Sequence, residues 1–446
     1  MKILRPIRLA QFLCCLAATA AHAESEYTVR QSPGAVPDLE ITLALPPGDA
    51  PTSHKLSARG VAWGLQEQVR APRCDDGTRL TKDGDGSWIA PPGCRHVTWT
   101  VSPPAIEDGT IDVSAQASLF LAQPKWTLLS EPTSLLRETG IDPQQAVLRA
   151  ADNATPLFGA TPAAQGGWLI PADNNAPEFY VVGPAPVQSE QVGDFRVHHV
   201  ADNPQRVKQL GLVASHAQAL RFLARIVYTD APVPEADRSL MIVWIGIDTR
   251  LGHAGGAAGS RSFLANYPIG GGDHAQDHAA VTFMILAHEQ FHQLADARRG
   301  DMPGLPGWIN ESIAQYYGLR AMREALGDDA AADALTRRFI DPGRPVEQRF
   351  AGAEALFATD RPRALDLAYR QGATFWAELD RALHTASGGA ASLDGYIPDL
   401  LRMTFPEDGS LPPAFLSYLR QWNDNRIDQI ISNYVGEMDA AAGSGG

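Results

Sequence analysis

Hydrophobic and polar residues alternate through the first part of the chain, from Tyr27 to about Val200. The clearest alternating runs cover 39–45, 97–101 and 111–121, and clusters of Pro and Gly lie between such runs. A period of two places every second side chain on one face of a strand, and Pro and Gly clusters favour turns. The pattern predicts an N-terminal domain of antiparallel β-strands.

The periodicity becomes mostly helical after Asn203. Residues 207–228 carry an apolar stripe typical of an amphipathic helix. Two short apolar runs, 240–247 and 261–267, predict strands on either side of a Gly-rich stretch at 252–259. Further helices are predicted at 278–297, 307–326, 330–339, 365–384, 392–403 and 413–434. The fold class we expect is α+β, with an antiparallel β domain followed by a mostly helical domain that contains a small sheet.

Composition and charge limit the possible functions. The chain has 446 residues, enough for two or three domains, and its 44% hydrophobic and 20% charged residues allow a full hydrophobic core. Its net charge of −14 repels phosphate backbones and anionic lipid. We therefore expect no nucleic-acid partner and no membrane span, since no stretch reaches the length of about 18 apolar residues that a spanning helix needs.

The first 23 residues have the three parts of an export signal. Residues 1–8 are basic, 9–20 are apolar, and Ala21-His22-Ala23 is a small-x-small cleavage pattern. We expect a mature chain that begins near Glu24 and is periplasmic or secreted. Two alternatives remain: residues 1–23 form an amphipathic helix of the mature protein, or Cys14 or Cys15 carries a lipid, although the residues before them do not match a lipobox.

Two cysteines, Cys74 and Cys94, remain after such cleavage. An even pair in an exported protein predicts a disulfide, worth about 3 kcal/mol on the loop-entropy model, and two reduced buried thiols are the alternative. The Asp-Gly repeat at 83–86 lies between them and predicts a hairpin turn.

The candidate chemistry lies in the sequence His288-Glu289-Gln290-Phe291-His292, an HExxH motif. On a helix, His288 and His292 share one face and can reach one metal ion, while Glu289 lies beside them, where a general base is needed. The residues before the motif are apolar, so we expect a buried helix. Two satisfied core histidines without a metal are the alternative interpretation.

Catalytic zinc needs a third protein ligand and an open position. After the Pro- and Gly-rich segment 303–307, a second predicted helix begins and carries Glu311 among apolar neighbours. A short connection would return this helix beside the first and direct Glu311 toward the same ion. The alternative is an exposed glutamate in the first turn of that helix, stabilised by the helix dipole.

These residues resemble the gluzincin zinc metallopeptidases, in which HExxH is followed by a glutamate on the next helix. The 18 residues between His292 and Glu311 match the spacing of the aminopeptidase-N family, and Trp308 to Ala314 is similar to its Trp-x-Asn-Glu-Gly-x-Ala segment, with Ser312 in place of Gly. The glycyl-aminopeptidase family is a second relative, suggested by Tyr316-Tyr317 and by the N-terminal β domain. The resemblance implies a thermolysin-like catalytic domain with Zn²⁺ bound by His288, His292 and Glu311.

A further segment, 369–373, is similar to the Tyr-x-Lys-Gly-Ala segment of the same family. The resemblance implies that Tyr369 donates a hydrogen bond to the tetrahedral intermediate. An ordinary aromatic residue on a helix face is the alternative. Asp296 and Gln315, each one turn beyond a proposed ligand, are candidates to orient the histidine rings, or else are simply exposed.

One departure concerns the substrate. The family's Gly-x-Met-Glu-Asn strand, whose Glu binds the substrate amine, corresponds here to 255–259, with Ala258 at the acidic position. Asp273 and Asp277 are the nearest candidates to replace it, but nothing in the sequence positions them. The choice between aminopeptidase and endopeptidase therefore stays open.

The sequence predicts four segments: a signal peptide at 1–23, a β-rich domain at 24–200, a zinc metallopeptidase domain with C-terminal helices at 201–439 and a flexible tail at 440–446. The predicted function is hydrolysis of peptide bonds by zinc-activated water with Glu289 as general base and a peptide or protein as substrate. The alternative is a non-catalytic, zinc-containing module that binds peptides.

Overall fold

The computed structural model describes residues 25–45, 53–106, 116–139, 146–173, 175–248, 255–269, 275–300, 302–327 and 329–436, with the backbone alone at 275–278. The predicted signal peptide at 1–23 and the predicted tail at 440–446 lie outside the described residues, as does part of the alternating run at 111–121.

The described strands are short and occur mainly in the first half of the chain. They are β1 Ser25–Gln31, β2 Leu39–Ala44, β3 His54–Ala58, β4 Val69–Cys74, β5 Thr81–Lys82, β6 Trp88–Ala90, β7 His96–Val101, β8 Leu119–Leu121, β9 Trp126–Ser130, β10 Leu136–Glu138, β11 Ala146–Ala150, β12 Leu157–Phe158, β13 Trp168–Ile170, β14 Phe179–Val182, β15 Val187–Val192, β16 Phe195–Ala201, β17 Ser239–Ile247, β18 Gly256–Ala258 and β19 Ser262–Pro268.

Three sheets make up the N-terminal β region, with strand orders β13-β11-β1-β2-β7-β4, β10-β3-β6-β5 and β12-β14-β9-β8. Their strand pairs are antiparallel, as predicted, with one difference: β1 pairs in parallel with β11. These two strands are far apart in sequence, so the alternation within each strand carries no information about their relative direction.

A fourth sheet, of order β15-β16-β17-β19-β18, joins the β region to the helices. β16, β17 and β19 pair in parallel, and β18 is an antiparallel edge strand. The predicted domain boundary at residue 200 lies near the end of β16, within this sheet.

Hydrophobic residues cover both faces of this fourth sheet. In β17, Met241 and Val243 contact the third sheet of the β region, while Ile242 and Trp244 contact the helices. A strand that is buried on both faces is hydrophobic at consecutive positions, which is why 240–247 is an unbroken apolar run.

A short helix lies between β9 and β10, and the other described helices follow one another from residue 204 onward. They are α1 Glu131–Ser134, α2 Pro204–Gln209, α3 Leu212–Val227, α4 Ala275–Arg299, α5 Gly307–Leu326, α6 Ala330–Phe339, α7 Glu354–Thr359, α8 Arg361–Leu367, α9 Ala373–Ala386, α10 Ile397–Leu400, α11 Pro413–Arg420 and α12 Asn425–Tyr434, with a π-helical segment, Ala368–Gly372, between α8 and α9.

Local sequence accounts for several helix ends. The bounds of α5 and α6 match the predictions 307–326 and 330–339. The single helix predicted at 207–228 is two helices, because Gly211 adopts a left-handed conformation with φ +67° between them. The side chain of Asn203 caps the first of these, and Pro204 occupies its first turn.

Two predictions for the β region are confirmed. Cys74 and Cys94 form a disulfide with a Cα–Cα distance of 5.5 Å. Between them β5 and β6 form the hairpin predicted at 83–86, with Thr81 opposite Ile89.

Within the described residues, none of the helices has both the length and the apolar character that crossing a bilayer requires.

Candidate metal centre

The candidate site lies where α4 and α5 come close together. Gly318 allows this approach, since a Cβ atom there would lie 3.1 Å from the backbone oxygen of Met284 and 3.1 Å from the backbone nitrogen of His288. Any larger residue would push the two helices apart. Stacked rings of Phe291 and Tyr317, 5.1 Å between centroids, add contact at the same interface.

This packing brings His288 and His292 of α4 next to Glu311 of α5. The Nε2 atoms of the two histidines are 2.9 Å apart. One carboxylate oxygen of Glu311, Oε2, lies 3.5 Å from His288 Nε2 and 3.8 Å from His292 Nε2. One potential ligand atom from each of the three residues lies within 4.8 Å of the other two.

The outer nitrogen of each histidine ring has a different environment. His292 Nδ1 lies 3.1 Å from the side-chain oxygen Oδ1 of Asn310. An amide oxygen only accepts, so this contact places a proton on Nδ1, and in the neutral ring the Nε2 lone pair is then free for a cation. His288 Nδ1 is buried and has no hydrogen-bond partner among the described residues.

The three groups perturb one another strongly. Burial raises the pKa of Glu311, but hydrogen bonds from His288 and His292 outweigh it and hold that pKa well below its usual range. Burial lowers the pKa of His292, but the hydrogen bond to Glu311 and the charge of Glu311 outweigh it and raise that pKa to about 9. A buried carboxylate thus lies beside two imidazole rings and stabilises positive charge there, which a divalent cation could supply.

Glu289 lies between this cluster and the edge strand β18. A Cβ atom on Gly256 would lie 2.5 Å from Glu289 Cγ, so only glycine fits there. The Glu289 carboxylate accepts a hydrogen bond from the backbone N–H of Ala258. Burial nevertheless raises the pKa of Glu289, and the nearby charge of Glu311 adds to the effect.

Tyr369 lies next to His288, in the π-helical segment. Its ring meets that of His288 edge-to-face, with 5.6 Å between centroids, and its hydroxyl hydrogen-bonds to Glu311. Burial, together with the charges of Glu311 and Glu289, raises the pKa of Tyr369 well above its usual value, so the hydroxyl stays protonated. π-Helical turns occur frequently at functional sites.

The position of this segment depends on Gly372 and Ser312. A Cβ atom on Gly372 would lie 2.3 Å from the Cβ atom of Ser312, so glycine is required there. Ser312 Oγ accepts a hydrogen bond of 2.8 Å from Trp376 Nε1. Ser312, the residue at which the chain departs from the aminopeptidase-N segment, therefore lies against the π-helical segment at Gly372 and against α9 at Trp376.

A cavity of about 360 Å³ opens beside these groups. His288, Glu289 and Tyr369 line one side, Gly255 and Gly256 a second, and apolar residues with Arg338 and Gln315 the remainder. The cavity gives a ligand access to the nitrogen and carboxylate atoms described above.

Neither of the two candidates to orient the histidine rings makes a hydrogen bond to them within the described residues. The side-chain amide of Gln315 donates to Met284 Sδ at 3.1 Å, and Asp296 makes no hydrogen bond to either ring within the described residues. Asp273 lies outside the described residues, and the side chain of Asp277 is not described.

Sequence reasoning missed two contacts at the centre, made by Asn310 and Gly256, and one on another side of α4, made by Gln290. Asn310 precedes the candidate ligand Glu311 directly, and this adjacency was the available signal. Gln290 faces away from the centre and hydrogen-bonds to the buried His216, 2.7 Å from its Nε2 to Gln290 Oε1. No local pattern connects Gly256 or His216 to the motif, because both contacts are made by distant segments.

The comparisons with known proteins bear on the fold. No family model and no curated protein matches the chain. A solved structure of an aminopeptidase N family protein from Idiomarina loihiensis is similar over 84% of this chain and 70% of that chain, with 12% sequence identity and a TM-score of 0.59. The chain therefore has an aminopeptidase N-like fold: a β region of several sheets followed by a helical part.

Proposed function

We propose that this chain is a zinc-dependent peptidase. The observation that carries the proposal is the convergence of His288, His292 and Glu311, whose potential ligand atoms lie within 4.8 Å of one another on two buried helices. The aminopeptidase N-like fold supports it, since that neighbour is described as an aminopeptidase N family protein.

The donor set fits zinc. Two imidazole nitrogens and one carboxylate oxygen are the ligands of a catalytic zinc site that keeps a position open. The Asn310 contact selects the His292 tautomer whose Nε2 lone pair is free. When bound, zinc would supply a Lewis acid that polarises the substrate carbonyl and makes water more acidic.

Glu289 would act as the general base. It is adjacent to the candidate ligands and borders the cavity. Burial raises its pKa, which brings its basicity closer to neutral pH, where proton transfer is most effective. The carboxylate would take a proton from water and return it to the leaving amine.

Tyr369 would stabilise the negative charge that develops on the substrate oxygen. Its hydroxyl already contacts the Glu311 carboxylate and remains a donor, since its pKa is raised. A donor that is held in place before the reaction stabilises developing charge without reorganisation.

The edge strand β18 would align the substrate. Its partner β19 occupies one edge of β18, and its other edge is not paired in the sheet order of the described residues. An extended peptide can pair with such an edge through backbone hydrogen bonds. The strand lies against Glu289 at Gly256, so a peptide on this edge would present its backbone to the proposed base.

We place this activity outside the cytoplasm. This part of the proposal rests on the sequence of residues 1–23, and the Cys74–Cys94 disulfide supports it, because structural disulfides persist in oxidising compartments.

The test is cleavage of a broad peptide library by the zinc-loaded chain and by Glu289→Gln. Loss of a general base costs about 100- to 10,000-fold in rate, and we expect a fall of this size without loss of zinc. Glu324→Gln, an exposed position on α5, is the matched control and should retain full activity.

Including N-terminally blocked peptides distinguishes the modes of cleavage. An aminopeptidase leaves them intact, whereas an endopeptidase cleaves them. If the wild type and Glu289→Gln bind zinc and peptides but are equally inert over the library, the chain is a peptide-binding module and the proposal is wrong.

A further inference from the structure

A second cavity, of about 590 Å³, lies between the β region and the end of α4. Asp173 and Trp63 line it from the β region, Ser260 and Arg261 from the turn after β18, and α4 contributes three residues. The residues from α4 are Asp296, Ala297 and Arg299.

Most charged side chains in this lining already have partners. Asp173 accepts from Arg137, and Asp237 accepts from Arg261. Arg299 donates to main-chain carbonyl oxygens at 2.6 and 3.0 Å. None of these groups needs a ligand to complete its interactions.

Asp296 differs from them. Its carboxylate has no hydrogen-bond or ion-pair partner among the described residues, although it lies in a cavity wall. Burial raises the pKa of Asp296, and the positive charges of His292, Arg299 and Arg261 only partly oppose this. A partly buried carboxylate without a protein partner gains a charge-assisted hydrogen bond when a cationic group enters the cavity.

The cavity is near the proposed reaction. Asp296 follows His292 by four residues on α4, on the same helix face and about 6 Å further along the axis. The edge strand connects the two places, because Gly256 contacts Glu289 while the turn after β18 lines the second cavity. From Gly256 to Gly259 an extended chain covers about 10 Å.

We infer that Asp296 binds a positively charged group of the substrate in this second cavity. The group is an α-amino group or the side chain of Lys or Arg, which share the same chemistry toward a carboxylate. The inference rests on the proposed peptidase function and assigns to that function a preference for cationic substrates. Asp296 is then a specificity-determining residue.

The experiment compares zinc-loaded wild type with Asp296→Asn on matched fluorogenic peptides. The peptides carry a free or acetylated N-terminus, and Lys or norleucine on the N-terminal side of the cleaved bond. We expect wild type to prefer the charged member of one pair, and Asp296→Asn to lower kcat/KM for that member by about 10- to 100-fold, mainly through KM. The uncharged members should be cleaved equally by both proteins.

Asp194→Asn, an exposed position in the turn after β15, is the control for loss of one negative charge. The pair that shows the effect identifies the source of the cation: the N-terminal pair indicates an α-amino group, and the Lys pair a side chain. Should Asp296→Asn fail to fold, Asp296→Ser replaces it, with thermal unfolding as the check on both.

A binding measurement separates this inference from the proposed function. Peptide affinities are measured by fluorescence anisotropy in Glu289→Gln, with and without Asp296→Asn. If charged peptides bind more tightly only when Asp296 is present, the inference holds even where no peptide is cleaved and the peptidase proposal fails. If wild type shows no preference for charged peptides, or if Asp296→Asn keeps that preference in cleavage and binding, the inference is wrong.

Discussion

Two groups of buried histidines lie on different sides of α4, and their environments are opposite. The first, the metal-centre group, is His288, His292 and Glu311. The second, the amide group, is His199 and His216 with Gln290. The pKa of His292 is raised to about 9, whereas burial lowers the pKa of His216 to about 4.

The partners of the histidines account for the difference. Gln290 is neutral, and its hydrogen bond does not offset the cost of charging His216 in an apolar environment. Burial also lowers the pKa of His199, to about 3, and the neighbouring His216 adds to the effect. His199 Nε2 also lies 3.2 Å from Glu190 Oε1, but burial outweighs this contact. The two groups differ because in the metal-centre group one carboxylate, that of Glu311, lies beside both imidazoles.

Among the variants that test this comparison, Tyr369→Phe has the largest expected effect. Removal of one donor to a developing oxyanion lowers kcat by about 100- to 1,000-fold, and we expect a loss near the lower value with KM and zinc content unchanged. Steady-state kinetics and metal analysis measure these quantities. Tyr418→Phe, at an exposed position, is the matched control.

A rise in KM without a change in kcat would contradict the role given to Tyr369. In that case Tyr369 would only pack against the metal-centre group. The two histidine groups would then differ less in function than their pKa values suggest.

The amide group predicts a pH effect on stability. His216 is neutral when folded down to pH about 4 but is protonated below about pH 6.5 when unfolded. The unfolded state therefore binds more protons between these values, and stability falls as the pH drops through that window, by about 2–3 kcal/mol for this one residue. His216→Gln should remove this share of the acid sensitivity.

Urea unfolding at pH 7 and pH 4.5 measures the effect as a difference between wild type and variant. His384→Gln, at an exposed position, should leave the difference between the two pH values unchanged. Equal acid sensitivity of wild type and His216→Gln would mean that His216 is charged in the folded state and that the two groups resemble each other.

The smallest effect concerns Asn310→Ala. Loss of a partner that orients a metal-bound histidine costs about 10- to 100-fold in metal affinity, and we expect about 10-fold, because a single neutral contact is lost. Competition with a chelator measures the zinc dissociation constant. Asn433→Ala, exposed on α12, is the control; an unchanged affinity in Asn310→Ala would show that the ring of His292 is held by packing alone.

The sequence predicted the parts of the fold that depend on short-range patterns. The bounds of α5 and α6 agree with those predictions, because the residues that end these helices are adjacent to them in sequence: Pro306 and Gly327 flank α5, and Asp329 caps α6. The break at Gly211 was missed, since the apolar stripe continues across it. The parallel pairing of β1 with β11 depends on segments that meet only in the folded chain.

The same division holds at the candidate site. His288, Glu289, His292 and Glu311 were found because one helix or a fixed spacing relates them, and the structure brings them together. Asn310 escaped notice beside Glu311, since a side-chain amide has no pattern of its own. The contact of Gly256 with Glu289 depends on how an edge strand lies over a helix, which residue spacing does not encode.

The π-helical segment at 368–372 limits which insertions and deletions this protein can accept. Such a turn contains one residue more than an α-helical turn. The helices before and after it are therefore rotated relative to each other by the angle that one extra residue adds. Deleting a single amino acid there would restore an ordinary helix and turn Tyr369 away from Glu311, while Trp376 could still reach Ser312. The number of residues in this segment, and not only their identity, is therefore constrained.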